Sequence, residues 1–501
     1  MLVMAGRVES GLEAADPRYR RITILVVMLG VMMTAVDTTA VVLGLPVMMR
    51  DLRSSISSMV WVIMAYLLVL AIVGTQVGKL GDMFGRVRMY NLGFAVFTLG
   101  SFLSGLSHNS AEIITFRIIQ GLGGAFIFSN SGAIIADTFP ASERGKAYGY
   151  TGVGFSAGAV LGILVGGAFV TFLSWQYIFF INVPIGIGAE LVGYFRLHDR
   201  AEKTRSKFDI PGIVLLMAGV FLILYSMTDI TGSGWSTKPG LELLSGLIGI
   251  VIFVLWERHS ESPLLDLSIL KQRVLFASMF AAFFQAIASY AVLFLIIMYL
   301  QGPRGLSPWN ASILLVPAYI LSSFVAPVAG RLSDRLGARV VASAGLLMQA
   351  TGIFIYSTLN SNTPLEYVLL GASVNGIGSS MFFPANNSAV MASAPPRAYG
   401  VTSGLLRTLS NMGMVVSFAV ALLIASLSIP RQLAFEIFLG VRAIQGQLAV
   451  AFIQGIHVAL LASITLIAVA ITLSILRGRE SRTMGGPRPA QTNRRPPNTM
   501  G

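Results

Sequence analysis

Long apolar runs separated by short polar gaps set the rhythm of this chain. Crossing a hydrocarbon core about 30 Å thick takes roughly 20 apolar residues. Runs of that kind fall near 23–44, 57–77, 88–106, 112–134, 147–170, 176–195, 210–229, 241–256, 274–300, 308–328, 340–357, 365–385, 402–425 and 448–474. They number fourteen, and because 241–256 is short, thirteen stays open. The pattern predicts an all-α polytopic membrane protein. The first run starts only after Arg18, Arg20 and Arg21 and lacks a cleavage site, so the chain is expected to insert by its own spans rather than by a cleaved signal peptide.

The polar gaps carry an internal repeat. GKLGDMFGRVR at 78–88 and GRLSDRLGARV at 330–340 match at Gly78/Gly330, Leu80/Leu332, Asp82/Asp334 and Gly85/Gly337, at a constant offset of 252. Two copies in register divide the chain into two related halves. The expected organisation is a cytoplasmic segment 1–22, a six-helix half 23–195, a linker with two inserted transmembrane helices 196–273, a second six-helix half 274–474, and a basic, proline-rich cytoplasmic tail 475–501. Parallel repeats of this kind relate by an axis along the membrane normal, with solute bound between them near the midplane. Neither copy has the spacing of a phosphate loop, so no nucleotide chemistry is implied.

Composition agrees with a membrane location. The chain is 55% hydrophobic and 11% charged, against about 25% charged for soluble domains, and its mean hydropathy is +0.76. It has no cysteine, and its four histidines (His108, His198, His259, His457) are scattered, so neither a disulfide nor a metal cluster is expected. The net charge of +13 sits in short gaps and at the chain ends, which fits anionic lipid rather than nucleic acid. With the amino terminus placed inside, 27 of the 35 Lys and Arg are cytoplasmic, six are outside, and Arg117 and Arg407 lie within spans. That bias sets both termini in the cytoplasm of a cell inner (plasma) membrane protein.

A few polar residues stand inside the spans. Asp37 lies about 21 Å along its helix at 1.5 Å per residue, among VMMTAV and TTAVVL. Burial there favours its neutral form and a nearby cation its charged form. It is open to two readings, a proton or cation-solute site, or a structural pair. Arg117 and Arg407 lie near the ends of their spans, where an arginine can snorkel to the interface. Position 289, the repeat partner of Asp37, is serine, which concentrates charge in the first half. Gly158, Gly162 and Gly166 recur every four residues and line one helix face for close approach. Gly78, Asp82, Gly85 and Arg86 are expected to close a turn that holds a carboxylate near helix ends and cations such as Arg144, with Gly330, Asp334 and Gly337 doing the same beside Arg335 or Arg339. Met32, Met33, Phe283, Phe284, Tyr290, Met381, Phe382 and Phe383 line an apolar cavity or face lipid.

Taken together, these segments resemble the major facilitator superfamily, in its fourteen-helix branch of drug:proton antiporters. GKLGDMFGRVR resembles that family's loop signature, and FRIIQGLGGA at 116–125 its helix-four signature. Gly149, Gly158, Gly162, Gly166 and Gly167 follow its antiporter glycine spacing, and DTTAVVLGLP at 37–46, WVIMAYLL at 61 and FFINVPIG at 179 are similar to its branch-specific segments. Ile163 stands where the antiporter signature normally has proline, and Val42 where the helix-one segment has asparagine.

The resemblance implies a major-facilitator-like fold of fourteen transmembrane helices (6+2+6), no enzymatic chemistry, and an exporter of amphipathic small molecules or drugs in exchange for protons. It implies Asp37 as proton carrier with Arg117 beside it, the Asp82 and Asp334 turns as conformational latches, and the Gly158 face as the surface on which the halves rock. The implied partners are hydrophobic or cationic small molecules, protons and membrane lipid, with no nucleic acid, no metal and no cofactor beyond the proton gradient, and the protein is expected to be monomeric. A dedicated metabolite exporter or proton-coupled symporter stays open because of Ile163, and more remotely a membrane scaffold that transports nothing.

Overall fold

A computed structural model describes residues 16–200, 208–260, 263–265, 267–394, 399–427 and 447–478. Among these residues there are helices and no strands. The first six crossings are α1 (Pro17–Asp51), α2 (Ile56–Phe84), α3 (Arg86–Gly105), α4 (Ser110–Thr138), α5 (Ala141–Phe172), and α6 (Tyr177–Phe180) running into α7 (Asn182–Arg196). The inserted pair is α8 (Ile210–Ser233) and α9 (Thr237–Glu257). The second six are α10 (Arg273–Gln301), α11 (Pro308–Leu336), α12 (Ala338–Tyr356), α13 (Leu365–Ser393), α14 (Tyr399–Leu427) and α15 (Gln447–Leu476).

Thirteen of these stretches are long and apolar enough to cross a membrane. The fourteenth crossing is α3, whose 20 residues span about 30 Å and pack along α4 and α7. The protein is therefore a multi-pass membrane protein. An even number of crossings leaves the start of α1 and the end of α15 at one end of the bundle, here called the near end.

Local signals explain the starts and stops. Asn109 caps α4 by accepting from Glu112 N at 2.9 Å, and Glu112 reaches back to His108 N at 2.8 Å, a reciprocal cap. Ser55 and Ser307 accept from Ser58 N and Asn310 N at 3.1 and 3.2 Å to start α2 and α11. The repeated turn is a single glycine in each half: Gly85, at φ 116°, joins α2 to α3, and Gly337, at φ 90°, joins α11 to α12. L side chains avoid that region of backbone space, so the matched glycines of the repeat are matched hinges between helices.

Packing repeats as well. The pairs α1/α5, α3/α4 and α2/α4 recur as α10/α14, α12/α13 and α11/α13. Across the halves, α5 meets α11 and α2 meets α14. Gln301 Nε2 donates to Leu43 O at 3.4 Å, Trp309 N donates to Thr171 Oγ1 at 3.1 Å, and the Phe172 and Trp309 rings lie 5.7 Å apart, all at the far end of the bundle.

The α8–α9 hairpin stands outside the two sets of six and packs on α2 and α14. Trp61 of α2 holds it by donating Nε1–H to Thr228 Oγ1 at 3.2 Å and by ring contact with Phe221 at 5.2 Å. At the near end, Asp209 caps α8 at Gly212 N, 2.9 Å, and accepts from Trp256 Nε1 at 2.8 Å. Glu257 accepts from Leu264 N and Leu265 N, both at 3.1 Å. Lys79, in the charged glycine stretch of α2, faces this pair: burial pulls its ammonium pKa down, and the charges of Asp209 and Glu257 partly oppose that. The clamp predicts that Trp61→Ala lowers the thermal unfolding midpoint of the protein in detergent, while Trp61→Phe, which loses about 1 kcal/mol of hydrogen bond but keeps the ring, recovers most of it. Equal loss in the two variants would assign the clamp to the hydrogen bond alone.

Candidate functional site

The longest helix brings the acid to the centre. Asp16 and Pro17 start α1, which then runs unbroken to Asp51 through Asp37. Asp37 is fully buried, and its carboxylate is the hub of a polar cluster built from four helices. Its Oδ2 accepts from Arg117 Nη1 of α4 at 2.5 Å. Its Oδ1 accepts from Gln120 Nε2 of α4 at 2.8 Å and from Asn182 Nδ2 of α7 at 3.3 Å. Asn182 also donates to Ser101 Oγ of α3 at 3.0 Å.

Arg117 is 1% exposed and does not reach either surface. Helical spacing puts Gln120 on its face, where Gln120 Oε1 accepts from Nη1 at 2.7 Å. Arg117 Nε donates to Val62 O of α2 at 3.0 Å, and the guanidinium carbon sits 4.2 Å from the Tyr66 ring centroid. The pair is thus neutral as a unit, hydrogen-bonded on both sides, and sealed from water. Taking one partner away from such a pair costs about 3–5 kcal/mol.

The equivalent place in the second half is neutral. Gln285 Nε2 donates to Gln349 Oε1 at 3.2 Å and reaches Ser289 Oγ at 3.4 Å, and Gln349 Nε2 donates to Ser289 Oγ at 3.3 Å. Of these three, Ser289 holds the register position of Asp37, and the two glutamines bond around it. Met33 and Phe382 are fully buried in the helix packing, so neither lines a cavity as the sequence pattern had suggested; Met32, Phe283, Phe284 and Phe383 are partly exposed.

The glycine face packs inside the first half rather than between halves. A Cβ at Gly158 would lie 2.5 Å from Met32 O, at Gly162 2.5 Å from Val36 O, and at Gly166 2.8 Å from Ala40 Cα, so the face lies on the backbone of α1, the helix of Asp37. The expectation of a rocking surface between halves is corrected for these three, because α5 lies between α1 and α11 and turns this face to α1. Gly167 points the other way, where a Cβ would lie 2.9 Å from Pro308 O of the second half, and Gly149 faces open space.

At the near end, the first charged turn finds its cation in itself. Arg86 Nε donates to Asp82 Oδ1 at 2.8 Å, and its Nη1 donates to Asp137 Oδ1 at the end of α4 at 2.5 Å. Asp199, beyond α7, accepts from Val87 N at 2.7 Å, and a Cβ at Gly85 would collide with its carboxylate. Gly78 lies at the same end of α2, against Ser129. Apart from Asp199, at the start of the linker, these groups belong to the first half. The side chains of Arg144 and Asp334 lie outside the described residues, while Gly330 and Gly337 both have open space where a Cβ would go. Asp82 is the more exposed of the two acids, at 38% against 17% for Asp137, and exposed ion pairs are worth about 0–1 kcal/mol. Asp137→Asn is therefore expected to lower the unfolding midpoint more than Asp82→Asn does, and the reverse order would move the anchor of this turn to α2.

Gln120, Tyr66 and Asn182 were present in the sequence segments FRIIQGLGGA, WVIMAYLL and FFINVPIG, but neutral groups give no charge signal to single them out. Asp137 and Asp199 had no such marker at all.

A sequence profile of the Major Facilitator Superfamily matches residues 27–418 and, a second time, 278–496. The chain belongs to that superfamily. It is a transporter by family, and no enzyme. The riboflavin transporter RibZ of Clostridioides difficile is 30% identical over 406 residues, 80% of this chain and 87% of that protein. The tetracenomycin C resistance and export protein of Streptomyces glaucescens is 31% identical over 400 residues, 79% of this chain and 74% of that one. In fold, the superfamily member resembles the crystal structure of a bacterial homolog of the human lysosomal transporter Spinster, with a TM-score of 0.69 at 17% identity, over 93% of this chain and 98% of that one.

Proposed function

We propose that this transporter exports amphipathic small molecules in exchange for protons, by alternating access between its two six-helix halves. The observation that carries the reading is the Asp37–Arg117 pair, fully buried, held by amides from α4 and α7, and without a charged counterpart at Ser289. If the halves tilt and α1 slides on α5, the pair opens. An uncompensated carboxylate in a dry interior is then better neutral than charged, so opening takes up a proton and closing returns it. Arg117 keeps its charge throughout and acts by approaching or leaving the acid. The proton gradient supplies the energy, and no cofactor is required.

We read the placement of Lys and Arg as setting both termini on the cytoplasmic side of the plasma membrane, and we take the protein to work as a monomer. Relatives named as a multidrug resistance protein and a multidrug transporter favour a broad solute range. The relative named as a riboflavin transporter, together with Ile163, favours a second reading as a dedicated carrier. Purified protein in liposomes, given a panel of dyes, antibiotics and flavins under an imposed pH gradient of either sign, separates the readings. Several unrelated solutes moving against the proton flux support the exporter. One accepted solute supports the dedicated carrier, and solute moving with the protons overturns antiport.

A further inference from the structure

Besides Asp37, Arg117 is held by groups of α2 and α4. Its Nε donates to Val62 O at 3.0 Å, its Nη1 donates to Gln120 Oε1 at 2.7 Å, and its guanidinium carbon sits 4.2 Å from the Tyr66 ring centroid. The Phe179 ring of α6 stands farther off, at 5.8 Å. Val62 and Tyr66 are four residues apart, so one face of α2 carries both. That face is locked to α4. A Cβ at Gly121 would lie 2.7 Å from Tyr66 O, and one at Gly124 3.1 Å from Tyr66 Oη. Arginine, carbonyl, amide and ring therefore form one unit. Asp37 comes from outside it, on α1, whose backbone makes its close approach to Gly158, Gly162 and Gly166 of α5.

This division decides which partner moves. When the pair opens, Asp37 leaves with α1 and Arg117 stays behind. A buried cation without its counter-charge is costly unless other groups hold it. Val62 O and Gln120 Oε1 hold it as acceptors, and the Tyr66 face adds the negative side of its ring quadrupole. In the closed pair the carboxylate cancels much of the charge that the ring attracts. The ring therefore favours the open state, in which the acid is protonated. The charges acting on Tyr66 are those of Asp37 and Arg117. Other titratable groups on the surrounding helices are engaged elsewhere: Tyr90 of α3 donates to Val26 O, Tyr177 of α6 packs on Phe169, Tyr299 of α10 donates to Asn360 O, and Tyr290 of α10 is set against Tyr319 of α11. Glu112 of α4 binds His108 N at the far end. At 1.5 Å per residue, Glu190 lies about 12 Å along α7 from Asn182, and Lys79 about 20 Å along α2 from Tyr66.

We propose that Tyr66 is a positioning residue of the proton site: its ring keeps Arg117 in place while Asp37 departs, and so sets how readily the acid exchanges its arginine for a proton. The ring face carries the effect, so phenylalanine serves in its place and an aliphatic residue does not. Leucine fills much of the space but offers no negative face. Arg117 then pairs more firmly with Asp37, and a higher proton concentration is needed to part them. Loss of the ring thus moves protonation of Asp37 to lower pH. This inference rests on the reading of Asp37 as proton carrier and adds the residue that tunes it.

Infrared difference spectra of the full-length protein in lipid, titrated from alkaline to acid, test it without any solute. The carboxyl C=O band that is missing from Asp37→Asn reports protonation of Asp37 alone. Tyr66→Leu is expected to move the midpoint of that band about one unit to lower pH, the tenfold loss of proton affinity that a buried cation–π contact supports. Tyr66→Phe is expected to keep the wild-type midpoint. Phenylalanines of increasing fluorination at this position drain the ring face of negative charge at nearly constant size. Their midpoints should step from the one value toward the other, and they carry the test if Tyr66→Leu fails to fold. An unmoved midpoint in Tyr66→Leu overturns the proposal, as does a move to higher pH or an equal move in Tyr66→Phe. A merely structural ring would lower thermal stability without ordering the fluorinated series, which also overturns it. If the band titrates in the wild type and the variants coincide with it, this inference alone falls; if the wild type shows no such band at any pH, the proton-carrier reading falls with it. Failure of the flux experiments with the ordered shift intact would remove solute exchange and leave Tyr66 its role.

Discussion

Asp37→Asn is expected to leave the transporter in the membrane and to reduce pH-driven solute export to the background of empty liposomes. Asparagine keeps the size of the side chain and removes the group that exchanges a proton. It also presents an NH2 to a site where Arg117, Gln120 and Asn182 all donate, so one donor is left without an acceptor, and Arg117 loses its counter-charge. Those effects act together, and removal of one partner of a buried pair costs about 3–5 kcal/mol. The unfolding midpoint should drop as well, which makes loss of export alone a weak result. Solute exchange down its own gradient supplies the needed contrast: it requires the halves to tilt but no net proton. Asp37→Asn should retain exchange and lose accumulation, whereas Asp37→Glu, which keeps the acid on a longer stem, should retain some of both. Accumulation at the wild-type rate by Asp37→Asn would remove the carboxylate from the mechanism. Loss of exchange and accumulation together, with a folded protein, would make the pair a structural tie.

Much of the architecture was written in the hydrophobic pattern, because membrane thickness fixes the length of every run and the offset repeat fixes which runs correspond. The turns at Gly85 and Gly337 were legible for a similar reason, since a glycine between two charged helix ends has few other uses. What pairs with what was not. Asp37 and Arg117 are 80 positions apart in the chain, and nothing in their spacing brings α1 beside α4; the resemblance supplied the pair that the residues alone left open. Asp82 illustrates the limit from the other side. A loop full of cations suggested a distant partner, yet an i,i+4 step along the chain put Arg86 within reach, and Arg86 then found Asp137. Helix facing is equally hard to read: Met32 and Met33 are neighbours, but one is partly exposed and the other has no exposed surface. A rotation of about 100° between successive residues separates those fates, and its phase is set by the neighbouring helices.

Gly162→Val is expected to impair the same site from a distance. A Cβ at this position would lie 2.5 Å from Val36 O and 2.8 Å from Val36 Cα, besides meeting Thr39 Oγ1. Backbone atoms of α1 cannot rotate away as a side-chain tip can, so trimming Val36 to alanine gives no relief. The two helices must separate, and forced separation in a packed interior costs about 1–3 kcal/mol. Because Val36 precedes Asp37, that displacement falls on the carboxylate and stretches its bonds to Arg117 and Gln120. The variant should therefore lose most pH-driven export along with part of its thermal stability. Gly149→Ala, on the same helix but with open space around its Cβ, is the control: alanine in a helix is favoured over glycine by about 1 kcal/mol, so its stability should not fall. Normal export by Gly162→Val would show that α1 accommodates the extra volume without disturbing Asp37, and the glycine face would then be a packing surface with no part in coupling.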